Sequence, residues 1–266
     1  MKTMATKTVA VLYATKGGMG DVGKFAMTLA RLEASLSCNV RPIALSIEDS
    51  SEGTDKGLEV DVEDPTLKTN TENLLATMYE DIVKIDVAKD SAEKEIGDAL
   101  EGVDAVISCL GNRQPSMERW CALGTRKVVS AMKAKNIQRL VSLSSMGIGK
   151  DYMNTTFITV LWSVMLKTII RSARKDLDAL ETAVRESGLD FVLVRPVGLT
   201  PQQMPQGSCD RLLAKPPKGS KTNLRFALAK SDAAAFMLGE ALAPTLHSRD
   251  VTIGYYTSRS TGDFVS

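Results

Sequence analysis

The chain has 266 residues and nearly balanced charge, with 33 Lys and Arg against 32 Asp and Glu. Its composition, 44% hydrophobic and 24% charged, is typical of a soluble globular protein. The net charge of +1 indicates no basic surface, so we expect neither nucleic acid nor an anionic membrane as a partner. The four cysteines lack C-x-x-C spacing, and no Cys, His and carboxylates cluster at metal-ligand spacing. We therefore predict free thiols and no metal site.

The location of the protein is predicted from its first residues and from its longest apolar run. A predicted strand begins within a few residues of Met1 and leaves no room for a signal peptide, so we expect a cytoplasmic protein. The apolar run 157–170 is shorter than the ~20 residues that span a bilayer, so we predict no transmembrane segment. As a helix it is apolar nearly all round. This predicts a wall or lid of a substrate pocket or, alternatively, a face for a partner or membrane surface.

A glycine-rich turn follows the first predicted strand, at residues 8–13, and precedes a helical pattern. Gly17, Gly20 and Gly23 fit G-x-x-G-x-x-G, and Gly18, Gly20 and Gly23 fit G-x-G-x-x-G. Glycines let backbone N–H groups approach a pyrophosphate, and the following helix offers unpaired donors and the positive end of its dipole. In this context the motif predicts a dinucleotide site, with a purely structural turn as the alternative.

Strand and helix patterns alternate along the whole chain. This predicts an α/β fold, a Rossmann-like doubly wound parallel sheet with helices on both faces. We predict one NAD(P)-binding domain over residues 1–266, with a polar insertion at about 50–77 and a small substrate-side lobe from about 146–171 and 197–230. The predicted strands are 8–13, 40–47, 82–87, 105–110, 139–144, 191–195 and 251–256, and the later helices are 91–100, 117–134, 172–187 and 231–243.

Several stretches together resemble a known family. They are the glycine turn, residues 103–111 (VDAVISCLG), 140–145 (LVSLSS), 181–196 (ending in SGLDFVLVRP) and 231–236 (SDAAAF). The chain is similar to the atypical short-chain dehydrogenase/reductases with an NAD(P)H-binding, NmrA-like domain, and most so to their biliverdin reductase B, or flavin reductase, group. The resemblance implies a nicotinamide cofactor and a monomer or weak homodimer.

The resemblance also implies a role for individual residues at the carboxyl ends of the strands, where ligands bind in open α/β sheets. The turn would hold the cofactor pyrophosphate, and the end of the third strand would contact the adenine. The nicotinamide would lie at the ends of the later strands. The implied cofactor residues are Gly17, Gly18, Met19, Gly20, Asp21 and Val22; Asp86 and Val87; Cys109, Leu110, Gly111 and Asn112; and Ser144, Pro196 and Val197.

The chain departs from the family at two places. Tyr13 stands where the first glycine is expected, so the turn is longer. Glu48 follows the second strand where NADPH-dependent relatives often carry an arginine. Because a carboxylate suits a free ribose 2′-OH and repels a phosphate, we predict a weak preference for NADH. The alternative is a 2′-phosphate contact from Lys16, Lys24 or Arg41.

Typical short-chain dehydrogenases pair a tyrosine with a lysine four residues later, and no tyrosine here has that partner. We therefore expect hydride transfer to a planar conjugated acceptor, such as a flavin, quinone or tetrapyrrole, which needs orientation more than a protein acid. Ser145 is the candidate catalytic side chain, as a hydrogen-bond donor to the nicotinamide or substrate; a hydroxyl that caps the strand end is the equal alternative. The alternative function is a non-catalytic redox sensor or scaffold that acts through protein partners.

Overall fold

The computed structural model describes residues 6–14, 20–32, 38–46, 82–111, 120–146, 148, 171–200, 212–214 and 227–255. Several predictions lie outside these residues. They are the polar insertion 50–77, the apolar helix 157–170, most of the substrate-side lobe, and the site residues Gly17, Gly18, Met19, Glu48 and Asn112.

The described residues form ten strands and five helices. The strands are β1 (Lys7–Ala14), β2 (Cys38–Ser46), β3 (Val83–Asp86), β4 (Ala105–Cys109), β5 (Arg139–Leu143), β6 (Asp190–Pro196), β7 (Leu199–Thr200), β8 (Leu212–Ala214), β9 (Leu228–Ala229) and β10 (Arg249–Tyr255). The helices are α1 (Gly20–Leu32), α2 (Ala92–Ala99), α3 (Trp120–Ala134), α4 (Arg171–Arg185) and α5 (Lys230–Leu242).

Eight strands form one sheet in the order β3-β2-β1-β4-β5-β6-β10-β8. Seven of them are parallel, and β8 pairs antiparallel with β10 at one edge. The predicted α/β, Rossmann-like fold is confirmed. Each predicted strand is present within two residues at either end. The short strands β7, β8 and β9 were not predicted, because two or three residues carry no readable periodicity.

The centre of the sheet is buried on both faces. Along β1, Val9, Val11 and Tyr13 join one apolar cluster with residues of α1 and α5, whereas Ala10 and Leu12 join a second cluster with residues of α2, α3 and α4. Parallel strands covered on both faces read as continuous apolar runs, which is why the strands were visible in the sequence.

Two helix ends have an identifiable structural basis. Gly188, three residues beyond the end of α4, has a φ of +73°, a conformation that glycine adopts at helix ends and that side chains disfavour. The first turn of α3 is held from another helix, since the Asp176 carboxylate accepts the backbone N–H groups of Cys121 (3.0 Å) and Ala122 (2.9 Å). Asp176 is buried, and it ties α4 to the start of α3.

Candidate functional site

The strand order reverses between β1 and β4. The chain runs from β1 outward to β2 and β3, and then returns to place β4 on the other side of β1. Tyr13, near the end of β1, lies beside Cys109, the last residue of β4. In open α/β sheets, ligands bind in the crevice outside the carboxyl ends of the strands at this reversal. The topology therefore puts the candidate site above Tyr13 and Cys109.

Gly23 brings helix α1 down onto this point of the sheet. A Cβ atom at Gly23 would lie 2.9 Å from the Tyr13 Cβ, 3.4 Å from the Cys109 Cβ and 3.4 Å from the Val11 Cγ1. The first distance is shorter than real Cβ atoms tolerate, so only glycine allows this approach. Close packing of helix on strand is the role of the third glycine in dinucleotide-binding turns. Gly23 thus performs the packing part of the motif.

The first turn of α1 contains three of the predicted cofactor residues. Gly20 begins the helix, Val22 is fully buried in the core, and Asp21 is partly exposed. The Lys230 Nζ, at the start of α5, lies 2.5 Å from the Asp21 Oδ2. The positive end of the α1 dipole and a lysine therefore meet at the edge where the phosphates of a dinucleotide would be expected.

The end of β3 presents an unsatisfied acceptor. Asp86 Oδ1 accepts the N–H of Ala88 at 2.9 Å, whereas Oδ2 is buried and has no hydrogen-bond partner among the described residues. Buried polar atoms are normally paired, so an unpaired oxygen calls for a donor. The exocyclic amino group of adenine is such a donor, and the acceptor fits the adenine position implied for Asp86.

Val87 and Leu110 form an apolar wall beneath helix α3 rather than an open surface. Both side chains are fully buried. A Cβ at Gly124 would lie 3.6 Å from the Val87 Cγ1 and 3.3 Å from the Leu110 Cδ1, which places them directly under α3. Gly111, also buried, is the last residue described after β4.

Cys109 is a packing residue at the switch point. Its side chain is fully buried, and burial raises the pKa of its thiol far above the ordinary value. A buried neutral thiol behaves as a small apolar group and reacts poorly with oxidants.

The two serines after β5 have different partners. The Ser144 hydroxyl is buried and donates to the Glu181 Oε1 at 2.6 Å, on the side of the sheet that carries α4. Among the described residues, the half-buried Ser145 hydroxyl makes one long contact, 3.3 Å, to the carbonyl oxygen of the adjacent Met146. Of the two serines, Ser145 is the one whose hydroxyl can donate a hydrogen bond to a ligand.

The end of β6 continues the same edge of the sheet. Pro196 and Val197 are buried, and the Val197 N–H donates to the Ile253 carbonyl of β10 at 3.0 Å. The Pro196 carbonyl accepts the N–H of Met146 at 3.2 Å. Pro196 and Ser145 therefore belong to neighbouring strand ends, as the resemblance implies.

An ion network centred on the buried pair Glu181 and Arg195 supports these strand ends, and sequence reasoning missed it. Arg195 donates to both Glu181 carboxylate oxygens, from Nε at 2.8 Å and from a terminal nitrogen at 2.6 Å. Asp250 lies 2.9 Å from Arg195 and 2.7 Å from Arg185, which also reaches Glu181 at 2.7 Å. Two arginines and two carboxylates thereby balance their charges. Two features of the sequence could have indicated this network: Arg195, a lone arginine inside an apolar strand, and the spacing of Glu181 and Arg185 by one helical turn.

The network determines the ionisation of Glu181. Burial raises the pKa of this carboxyl, but hydrogen bonds from Arg195 and Ser144 outweigh it and hold the pKa below its ordinary value of 4.5. Glu181 is therefore a carboxylate at neutral pH, and it orients Ser144 next to Ser145.

Other candidate groups are not part of this edge. The His247 side chain is 64% accessible, and its Nδ1 lies 2.9 Å from the Oδ2 of Asp190, the first residue of β6. In the part of the chain that the structure describes, no group of three or more His, Cys, Asp and Glu could hold a metal ion. No helix within those same ranges is long and apolar enough to cross a membrane.

Comparison with known families identifies the class. A family model described as NAD(P)H-binding matches residues 67–242, about two thirds of the chain. The chain belongs to this NAD(P)H-binding family. The matched region includes the ends of β3, β4, β5 and β6 but not the glycine turn. No curated protein sequence is similar enough to the chain to count as a relative.

Solved structures share the fold at low sequence identity. A short-chain dehydrogenase/reductase of Veillonella parvula, in complex with NADP, is 14% identical with a TM-score of 0.61 over 93% of this chain and 94% of that one. The anaerobillin reductase ChuY of Escherichia coli O157:H7 is 16% identical with a TM-score of 0.58 over 94% and 97%. A Rossmann-fold NAD(P)-binding protein of Shigella flexneri is 16% identical with a TM-score of 0.56 over 98% and 100%. These likenesses confirm the Rossmann fold, and the NmrA-like subtype stays a prediction.

Proposed function

We propose that the protein is an NAD(P)H-dependent reductase that transfers hydride to a planar conjugated acceptor, such as a flavin, quinone or tetrapyrrole. The observation that carries the proposal is the strand reversal between β1 and β4, onto which Gly23 packs α1. Membership of an NAD(P)H-binding family supports the cofactor. A structural neighbour named as a reductase of a bilin agrees with the tetrapyrrole end of the proposed range.

The cofactor would lie along the carboxyl edge of the sheet. The turn residues Gly17–Val22 and the start of α1 would hold the pyrophosphate. Asp86 would accept from the adenine amino group with Oδ2, which has no hydrogen-bond partner among the described residues. The ends of β4, β5 and β6 would carry the nicotinamide, whose chemistry is the supply of a hydride to the acceptor.

Ser145 is the proposed catalytic residue. Its hydroxyl would donate to the nicotinamide amide or to the acceptor and fix the distance between the two. Ser144 is a positioning residue, since its own hydroxyl is bound to Glu181. Flavins and quinones take their protons from water, so the absence of a Tyr-x-x-x-Lys pair from the sequence is compatible with this chemistry. The lobe at about 146–171 and 197–230 would cover the acceptor.

The same absence favours the alternative, a nicotinamide-nucleotide sensor or scaffold without turnover. The two functions share the cofactor site and differ only in chemistry. The preference for NADH proposed from Glu48 applies to both, because it concerns only the ribose.

A single titration series tests these proposals. NADH and NADPH are titrated by calorimetry into the purified protein, and FMN, menadione or biliverdin is then added while oxidation at 340 nm is followed. Turnover supports the reductase, and binding without turnover with all three acceptors supports the sensor. Tighter binding of NADPH than NADH overturns the Glu48 argument. No binding of either nucleotide overturns the cofactor site.

The role of Ser145 is tested by Ser145→Ala in the same assay. Loss of one hydrogen bond to the reacting groups is expected to lower kcat/KM by about tenfold. The matched control is Ser91→Ala, because Ser91 is an exposed serine that bonds Glu95 on α2. An unchanged kcat/KM for Ser145→Ala would leave this hydroxyl with only a structural role.

A further inference from the structure

Helices α1 and α5 begin side by side at the carboxyl edge of the sheet. Their first turns are joined by an ion pair between residues 209 positions apart, Asp21 and Lys230, with 2.5 Å between the Oδ2 and Nζ atoms. Asp21 is 36% exposed, and Lys230 is 13% exposed. The lysine is thus the more confined partner, and its ammonium is directed at the helix end assigned to the pyrophosphate.

The start of α5 is held in place by a second set of contacts. Tyr255, at the end of β10, donates its phenolic hydroxyl to the fully buried Asp232. The same hydroxyl accepts the N–H of Ala229 at 3.3 Å. Lys230 lies between these two anchored residues. The Lys230 side chain is also confined by its ion pair with Asp21 and by burial, so it has less conformational entropy to lose when it binds an anion.

The charge of Asp21 opposes the proposed ligand. A dinucleotide brings a doubly charged pyrophosphate to the N-terminus of α1, and Asp21 places a carboxylate in that first turn. Like charges at such distances repel, and a pyrophosphate and Asp21 would compete for the same cation and the same helix dipole. In the nucleotide-free protein, Asp21 interacts with both the Lys230 ammonium and the positive end of the α1 dipole.

We propose that Lys230 binds the phosphates of the nicotinamide nucleotide, and that Asp21 competes with those phosphates for Lys230 and so weakens the binding. This inference rests on the proposed cofactor site and names two of its residues. Lys230 pairs with Asp21 before the nucleotide arrives and with the phosphates afterwards.

The proposal predicts opposite effects from the two partners of one ion pair. Lys230→Met removes the phosphate cation and is expected to weaken nucleotide binding by about tenfold, as the loss of a charged hydrogen bond does. Asp21→Asn removes the competitor with little change in shape and is expected to tighten binding by about threefold to tenfold. Lys230→Arg keeps the charge, so its Kd for the nucleotide is expected to stay within about threefold of the wild-type Kd.

The measurement is the Kd of NADH by calorimetry for all variants at low and high salt, with the nucleotide-free Tm of each. Because salt screens charge interactions, the differences in Kd between the variants should be smaller at high salt than at low salt. Matched controls are Lys94→Met and Asp98→Asn, which break an exposed Lys–Asp pair of 2.6 Å on α2. Both controls should leave the Kd unchanged.

The outcomes separate this inference from the proposed function. Opposite shifts in Kd for Lys230→Met and Asp21→Asn support it. Shifts in the same direction that follow the Tm overturn it and leave an ion pair that only stabilises the fold. An unchanged Kd for Lys230→Met, with wild-type binding intact, overturns it while the cofactor site stands. If Lys230→Met does not fold, looser binding by Asp21→Asn overturns the proposal by itself. Failure of the wild type to bind any nucleotide overturns the cofactor site first.

Discussion

Substitution of Glu181 by alanine should be among the most destabilising single changes in the part of the chain described. Glu181 is fully buried and accepts four hydrogen bonds, one from Ser144, two from Arg195 and one from Arg185. Glu181→Ala removes the acceptor and leaves the Arg195 guanidinium, 2% exposed, with part of its charge uncompensated.

The size of the loss follows from the contacts that remain. Removing one partner of a buried ion pair costs about 3–5 kcal/mol of unfolding free energy. Asp250 still contacts Arg195 at 2.9 Å and Arg185 at 2.7 Å, so we take the lower end, about 3 kcal/mol. For a chain of this size, that corresponds to a fall in Tm of about 6–12 °C.

Urea unfolding followed by circular dichroism measures this quantity. The control is Asp98→Ala, which removes an exposed salt bridge and should leave the urea midpoint unchanged. The double variant Glu181→Met with Arg195→Met removes both buried charges and should lose less stability than Glu181→Ala alone. A loss below about 1 kcal/mol for Glu181→Ala, or a double variant less stable than the single one, would refute the reasoning.

Four further predictions use the same unfolding assay. Because the pKa of Glu181 lies below 4.5 in the folded protein, its contribution is complete above pH 4.5 and is lost as the pH falls through the folded pKa. As the pH is lowered below 4.5, the free energy of unfolding of Glu181→Gln should therefore fall less than that of the wild type. Gly23→Ala should cost about 1–2 kcal/mol, since overpacking against the Tyr13 Cβ outweighs the gain in helix propensity. Gly239→Ala, whose Cβ would meet nothing within 4 Å, should instead stabilise by up to about 1 kcal/mol. Asp176→Ala should cost at least about 2 kcal/mol, because two N–H groups at the start of α3 lose their acceptor, and equal stability to the wild type would contradict this.

Most of the sheet was predictable from local patterns. The central strands β1, β4, β5 and β6 are buried along most of their length, and their largely apolar sequences made them readable. The missed strands β7, β8 and β9 are two or three residues long and are defined by pairing with distant partners. Their formation depends on long-range hydrogen bonds that leave no periodic signal in the sequence.

The candidate site was predictable in its general position and less so in its detail. The resemblance placed residues at the ends of β3, β4, β5 and β6, and the family match covers those ends. It did not distinguish the roles of Ser144 and Ser145, because both follow the same strand. Only the direction of each side chain distinguishes Ser144, whose hydroxyl donates to Glu181 on α4, from Ser145, whose hydroxyl makes a long contact to the Met146 carbonyl.

The sequence by itself determined the class of this protein: alternating strands and helices, a glycine turn after the first strand, and a composition without a basic or membrane-spanning character. The tertiary structure decided which residues act together. Gly23 meets Tyr13 and Cys109, Asp250 meets Arg195, and Lys230 meets Asp21 only because strand register and helix packing bring them into contact. Ion pairs and close approaches of a few ångströms depend on the position of every intervening element, whereas strand and helix patterns depend on neighbours along the chain.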